Sequence, residues 1–115
     1  MSNPAAMAET EYRALVQKAY DRILAVMDDV DPDVVESDLS QGTLTMRLAD
    51  GARWILSGQP PVRQLWLAVA SKGRAFHFNY DAKSGKWQDD KGEGVELYSY
   101  LSGLLHEVAG LNITF

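Results

Sequence analysis

Val35-Glu36-Ser37-Asp38-Leu39-Ser40-Gln41-Gly42-Thr43-Leu44-Thr45-Met46-Arg47-Leu48-Ala49-Asp50-Gly51 is the stretch on which the fold turns. Val35, Ser37 and Leu39 alternate with Glu36, Asp38 and Ser40; after Gln41-Gly42, Leu44, Met46 and Leu48 alternate with Thr43, Thr45 and Arg47. A period of two sends successive side chains to opposite faces, so both halves read as half-buried strands. Gln41-Gly42 is short enough to be a turn between them, and Asp50-Gly51 is the strongest hairpin signal in the chain. An antiparallel meander starts here.

Downstream, residues 53–56, 64–70 and 75–80 are expected as further strands, with Lys86-Trp87-Gln88 as a last edge strand. Ser57-Gly58-Gln59-Pro60-Pro61, Ser71-Lys72-Gly73 and Ser84-Gly85 separate them with turn-forming residues. Upstream, the period is helical. Tyr12, Leu15, Val16, Ala19, Tyr20, Ile23 and Met27 recur on one side of residues 9–27, with Glu11, Arg13, Lys18, Asp21 and Arg22 between them. This helix should stop near Asp31-Pro32, because the residue before a proline is pushed out of the helical region. A second helix is expected over residues 95–108, with an apolar stripe of Leu97, Tyr100, Leu101, Leu104, Leu105 and Val108 and with Gly110 as its C-cap. Asn112-Ile113-Thr114-Phe115 should pack back on the core. The fold class that buries both helical stripes is α+β: a two-layer α/β sandwich with the N- and C-terminal helices on one face of an antiparallel sheet of five or more strands. One domain over residues 1–115 is expected, with residues 1–8 disordered.

A length of 115 residues and an apolar fraction of 46% suit one soluble core. No run of apolar residues reaches the roughly 18–20 that a membrane span needs, and residues 1–6 lack a basic region leading into a hydrophobic one. The sequence therefore predicts no membrane association and a cytoplasmic protein. Cysteine is absent, which excludes disulfides, a thiolate nucleophile and a cluster held by this chain's own thiolates. The net charge of −5 is concentrated: residues 23–46 carry six acidic side chains and no Lys or Arg, while the rest carries ten acidic and eleven basic ones. Such a field repels phosphate backbones and attracts cations or basic protein surfaces, so nucleic acid is an unsuitable partner.

Two groups of residues could carry function. The first is acidic: Asp28, Asp29, Asp31 and Asp33 around the end of the first helix, Glu36 and Asp38 on one face of the first strand, and Asp21 two helical turns before Asp28. Oxygen donors suit hard cations, and ferrous iron in a chain without cysteine would have to use carboxylates and water. Asp29-x-Asp31-x-Asp33 lacks the glycine and distant glutamate of an EF-hand, so an open, weak site is expected. A solvated acidic patch is the plain alternative.

The second is Gln59-Pro60-Pro61-Val62-Arg63-Gln64-Leu65-Trp66-Leu67-Ala68. With Leu65, Leu67 and Val69 facing the helices, alternation sends Gln64, Trp66 and Ala68 to the open sheet face. An outward tryptophan suits a partner contact; otherwise it would pack across strands on a neighbour such as Thr45. His77 is expected to face outward on the fifth strand and His106 to be a polar residue of the second helix, neither with a partner at metal-ligand spacing. No nucleophile-and-base constellation emerges, and a non-enzymatic protein is expected.

Residues 59–68 resemble the signature of the frataxin family: Asn, a basic residue, Gln, any residue, Pro, two variable positions, Gln, an aliphatic residue and Trp. Asp28-Asp29-Val30-Asp31, Gly42-Thr43-Leu44-Thr45, Phe76-His77-Phe78 and Lys86-Trp87 extend the likeness over essentially the whole chain. The resemblance implies an iron-binding protein of iron–sulfur cluster assembly that modulates the cysteine desulfurase and scaffold complex. It implies weakly bound iron at Asp21, Asp28, Asp29, Asp31, Asp33, Glu36 and Asp38. Partner contacts would fall on Arg63, Gln64 and Trp66 and on Asp28, Asp29 and Asp31. A monomer at rest is expected, with an iron-induced oligomer as the alternative state. Ferroxidase or iron-storage activity and a metal-independent interaction module are the competing readings. Ser57-Gly58 departs from the family's Asn followed by Lys or Arg, which predicts a sheet surface with one basic side chain fewer. Leu24-Ala25 stands where some relatives carry acidic residues, which thins the ridge.

Overall fold

The computed structural model describes residues 7–115; residues 1–6 lie outside the described residues. Helix α1 (Glu9–Met27) is followed by strands β1 (Val35–Ser40), β2 (Thr43–Leu48), β3 (Arg53–Gln59), β4 (Gln64–Val69), β5 (Arg74–Asp81) and β6 (Lys86–Asp89), then helix α2 (Leu97–Ala109). The six strands lie in chain order, each antiparallel to the next. The α+β sandwich read from the sequence is therefore the observed architecture.

Inward side chains of every strand meet the two helical stripes. Tyr12, Val16, Ala19, Tyr20, Ile23 and Met27 of α1 and Leu97, Leu101, Leu104 and Leu105 of α2 are buried against Leu44, Met46, Trp54, Leu56, Leu65, Leu67, Phe76, Phe78 and Trp87. Each such side chain removed from water is worth about 1.5–3 kcal/mol, which is what holds the layers together. Val108 is the exception in the expected α2 stripe: at 38% exposure it faces solvent.

Several element ends lie a residue or more from where the sequence places them. β3 runs on through Ser57, Gly58 and Gln59, which pair with Trp66, Leu65 and Gln64, so only Pro60–Val62 forms the turn, closed by Arg63 in the left-handed region at φ 53°. β5 begins one residue earlier and ends one later than the alternation marks. α2 begins at Leu97, because Glu96 stays extended and its carboxylate accepts from the amides of Tyr98 and Ser99, satisfying two open donors of the first turn. Gln41-Gly42, with φ of 53° and 76°, makes the two-residue β1–β2 turn. Of residues 1–8, expected to be disordered, Met7 and Ala8 are described: the Met7 carbonyl accepts from Arg63 Nε at 2.9 Å, and Ala8 is the N-cap of α1.

The tail packs back as expected. Gly110, at φ 68°, reverses the chain after α2. Leu111, Ile113 and Phe115 are half-buried against the core, and Arg22 Nε donates to the Phe115 carbonyl at 2.9 Å while its guanidinium lies 4.2 Å from the Tyr98 ring centre.

Candidate functional site

The seven expected carboxylates are all exposed and divide into two sets. Asp21 lies on the outer side of α1, accepting from Gln17 Nε2 at 2.9 Å. Asp28 is the C-cap residue of α1, and Asp29, Asp31 and Asp33 follow it through the turn into β1. Asp31 Oδ1 accepts the Asp33 amide at 2.9 Å, so one of these carboxylates shapes the turn. Glu36 and Asp38 stand on the open face of β1, an edge strand, opposite Arg47 and Thr45; Glu36 Oε1 is 3.4 Å from Arg47 Nη1.

The electrostatics of this edge are unbalanced. The last turn of α1 has no basic residue, so the negative end of the helix dipole meets Asp28 and Asp29 without a counter-charge. What the fold does not do is gather the acids: among the described residues no three His, Asp or Glu side chains are arranged to hold a metal ion. Oxygen donors fit a hard cation by type, and one or two of them at a time, completed by water, is the binding this edge offers. Leu24 is half-buried against the core while Ala25 is exposed, so of the two family departures there, Ala25 is the position that removes a surface donor.

The open sheet face has a different character. Trp66 faces outward, as expected, but its neighbour is not Thr45, which pairs with Ile55 one strand away. Trp66 pairs with His77 across β4 and β5, and the two rings stack at 4.2 Å with 16° between planes. The indole Nε1 donates to Gln64 Oε1 at 2.8 Å. Gln64 Nε2 donates in turn to Asn79 Oδ1 at 3.0 Å and to Asp90 Oδ2 at 3.1 Å, and the same Asp90 oxygen is 3.6 Å from His77 Nδ1. Trp66, Gln64, Asp90 and His77 thus close a ring of contacts, with Asn79 attached to Gln64. Beside it Ile55, Ala68 and Ala75 form a short apolar row in register.

Arg63 does not join this face. Its guanidinium donates to the Met7 and Pro60 carbonyls and lies 5.9 Å from the Tyr12 ring centre, so its donors are used in bracing the start of the chain. The Gly58 departure also has a different meaning from the one expected. Position 58 shares its side of β3 with the buried Trp54 and Leu56, and a Cβ there would sit 3.0 Å from the Tyr12 hydroxyl. That hydroxyl accepts from the Gln59 amide at 2.8 Å and donates to the Gln64 carbonyl at 2.6 Å. Gly58 thus removes no side chain from the open face; it admits a buried tyrosine that pins the ends of β3 and β4 from behind.

Burial pushes the Tyr12 phenol up, against the pull of the Gln59 amide and of Arg13 and Arg63, and pushes Tyr20 up to about 12. Tyr20 donates to the Gly42 carbonyl at 2.7 Å, tying the β1–β2 turn to α1. Desolvation pushes the Asp89 carboxyl up, but the amides of Glu93, Val95 and Lys91 outweigh it and hold the group below the ordinary carboxylate range. The ionised Asp89 is the hub that folds the loop carrying Asp90.

His77 was legible in the sequence as an outward residue, but its ties to Trp66 and Asp90 were not. Gln64 and Asn79 could have been matched by counting register along β4 and β5. Asp90 offered no signal, because it reaches the face from beyond the end of β6 through a backbone bond from its amide to the His77 carbonyl at 2.8 Å.

Two helices on one face of a six-stranded meander, with an acidic edge and a half-buried, outward-facing tryptophan on the opposite face, define the frataxin-like class of α+β sandwich. The profile of the frataxin-like domain family matches residues 5–111, and the chain belongs to that family. Proteins named iron-sulfur cluster assembly protein CyaY are similar along their whole length. The one from Pseudomonas fluorescens strain SBW25 is 38% identical over 109 residues, covering 95% of this chain and 96% of its own. The one from Cupriavidus metallidurans is 37% identical over 112 residues, covering 94% and 96%. Among solved structures, the frataxin of Psychromonas ingrahamii superposes with a TM-score of 0.83 at 25% identity, covering 94% of this chain and 97% of its own. The trimeric frataxin of Saccharomyces cerevisiae, described as complexed with ferrous, superposes with a TM-score of 0.72 at 21% identity over 84% and 87%, a likeness of fold. No described helix is long and apolar enough to cross a membrane.

Proposed function

We propose that this chain serves iron–sulfur cluster assembly as a non-enzymatic, iron-responsive regulator. Ferrous iron is its weakly held cargo, and the cysteine desulfurase and the scaffold protein are its partners. The observation that carries the reading is the acidic edge, in a chain whose relatives bear the name of iron–sulfur cluster assembly proteins. Asp28, Asp29, Asp31 and Asp33, crowded at the negative end of α1, repel one another and the helix end. A divalent cation relieves that repulsion, and so does a basic protein surface; the two therefore compete for, or share, the same carboxylates. Asp21, Glu36 and Asp38 extend the field along the edge. Because no chelating cluster is preformed among the described residues, binding is weak and reversible, which suits a cargo that must leave again. The Trp66 face takes the scaffold: the indole and the row of Ile55, Ala68 and Ala75 offer an apolar centre, and Gln64 and Asn79 a polar rim.

A second reading, a metal-independent interaction module, is favoured by the dispersal of the carboxylates. One experiment separates the two: desulfurase turnover in a reconstituted, anaerobic cluster-assembly reaction, with and without this protein, across ferrous iron concentrations. The regulator reading expects an effect of the protein that changes with iron. An effect of equal size with iron and with chelator would establish the interaction module instead, and no effect at any iron level would sink both.

A further inference from the structure

We infer that Asp90 is a positioning residue for partner docking: it holds the Trp66 indole in its outward orientation through two separate arms, Gln64 and His77. The inference rests on the reading of the Trp66 face as the scaffold contact.

An indole on an open sheet face, with no wall above it, has no packing reason to keep one orientation. Here its orientation is specified twice. Its Nε1–H is fixed by Gln64 Oε1 at 2.8 Å, and its ring plane by the stacked His77 at 4.2 Å. Neither of these residues is self-supporting. The indole N–H is a donor only, so it bonds the glutamine oxygen, and a glutamine held by that one bond is free to swing with the ring. Asp90 removes that freedom: its carboxylate accepts from the Gln64 amide nitrogen at 3.1 Å, so the side chain is held at both ends of its amide. Asn79 Oδ1 accepts from the same nitrogen at 3.0 Å. On the other arm the Asp90 amide donates to the His77 carbonyl at 2.8 Å and the same Asp90 oxygen stands 3.6 Å from His77 Nδ1, so Asp90 flanks the histidine whose ring stacks on the indole.

Asp90 is itself well placed for this work. Its side chain is 27% exposed, its amide is bonded to the His77 carbonyl at 2.8 Å, and the loop behind it is folded around the Asp89 carboxylate. Of the charged side chains lining the hollow beside it, Arg74 Nη2 is 3.6 Å from Glu93. A preformed aromatic anchor loses less freedom on binding than a mobile one, and this is how a residue that need not touch the partner sets the affinity.

The test compares the full chain with Asp90→Ala, Asp90→Glu and Trp66→Ala, reading the indole N–H signals by NMR and binding to the scaffold protein of the same organism. Trp54 and Trp87, each 1% exposed, are internal controls whose signals report the core. In Asp90→Ala the Trp66 indole N–H is expected to shift and exchange faster while the Trp54 and Trp87 signals and the thermal midpoint stay put. Scaffold binding is expected to weaken by roughly tenfold, the scale of a lost hydrogen bond to a charged group. Asp90→Glu is expected to recover most of both. An unchanged Trp66 signal in Asp90→Ala overturns the inference, and so does a shift of all three indoles with a lowered midpoint, which is a structural role only. Parent-like binding by Asp90→Ala beside lost binding by Trp66→Ala overturns the inference and leaves the docking face standing. Parent-like binding by Trp66→Ala itself removes the docking reading, and with it any role of Asp90 in docking.

Discussion

The acidic edge and the Trp66 face lie on the same small sheet and are built on opposite plans. On the edge, seven carboxylates are exposed, most have no partner beyond a neighbouring amide, and the helix end adds to their repulsion instead of answering it. On the face, Trp66, Gln64, Asn79 and Asp90 are joined by hydrogen bonds, His77 stacks on the indole, and the backbone beneath is pinned from inside by Tyr12. The difference separates two ways of recognising a partner. A field of loosely held like charges attracts without specifying geometry, so it suits an ion in exchange or a steered encounter. A preorganised aromatic anchor specifies geometry and gains affinity from lost mobility avoided.

The largest effect should come from breaking the face. Trp66→Ala is expected to weaken scaffold binding by at least about 2 kcal/mol, the scale of an interface anchor, with the fold intact by circular dichroism. Isothermal titration would show it.

Next comes the support behind both regions. Tyr20 is held protonated by burial, with its pKa raised from 10.0 to about 12. Its contribution to stability is therefore complete below pH 10 and lost as pH rises toward 12, on the order of 2 kcal/mol. Urea unfolding at stepped alkaline pH should record that loss, and Tyr20→Phe should flatten the slope while costing about 1 kcal/mol at neutral pH for the hydroxyl's bond to Gly42.

Gly58→Ala should fall between the two regions. Its Cβ would press on the Tyr12 hydroxyl at 3.0 Å, and the tyrosine is tied on both sides and cannot yield freely. A loss of about 1–2 kcal/mol is expected, with the Gln64 amide signals disturbed. Unchanged stability would mean that Tyr12 is a looser brace than its two bonds suggest.

The smallest effect on folding should come from the edge. Asp28→Asn, Asp29→Asn and Asp31→Asn together should leave the thermal midpoint unchanged or raise it slightly, by a few tenths of a kcal/mol, since like charges at a helix C-terminus are removed. The same triple variant should flatten the salt dependence of desulfurase association.

How far the sequence could be read follows the same division. The sheet, both helices and the outward turn of Trp66 were legible because alternation and helical period are local signals, each repeated over six or more residues. The acidic edge was legible as composition, yet its dispersal was not, because chelation depends on the directions of side chains on separate elements. Gly58 was misread for a related reason. Its side of β3 is fixed by pairing with Leu65, and its purpose by Tyr12, 46 positions away in the chain. The tie from Arg63 to the Met7 carbonyl had no local signal either, because it depends on the left-handed backbone at Arg63.

The most direct test of the account is a crossed comparison: desulfurase binding, scaffold binding and ferrous iron binding, each measured anaerobically on the Asp28→Asn, Asp29→Asn, Asp31→Asn triple variant and on Trp66→Ala. The account predicts a double dissociation, in which the triple variant loses iron and desulfurase but keeps the scaffold, and Trp66→Ala loses the scaffold but keeps the other two. Equal loss of both partners in either variant would contradict it, because the two regions would then be one site.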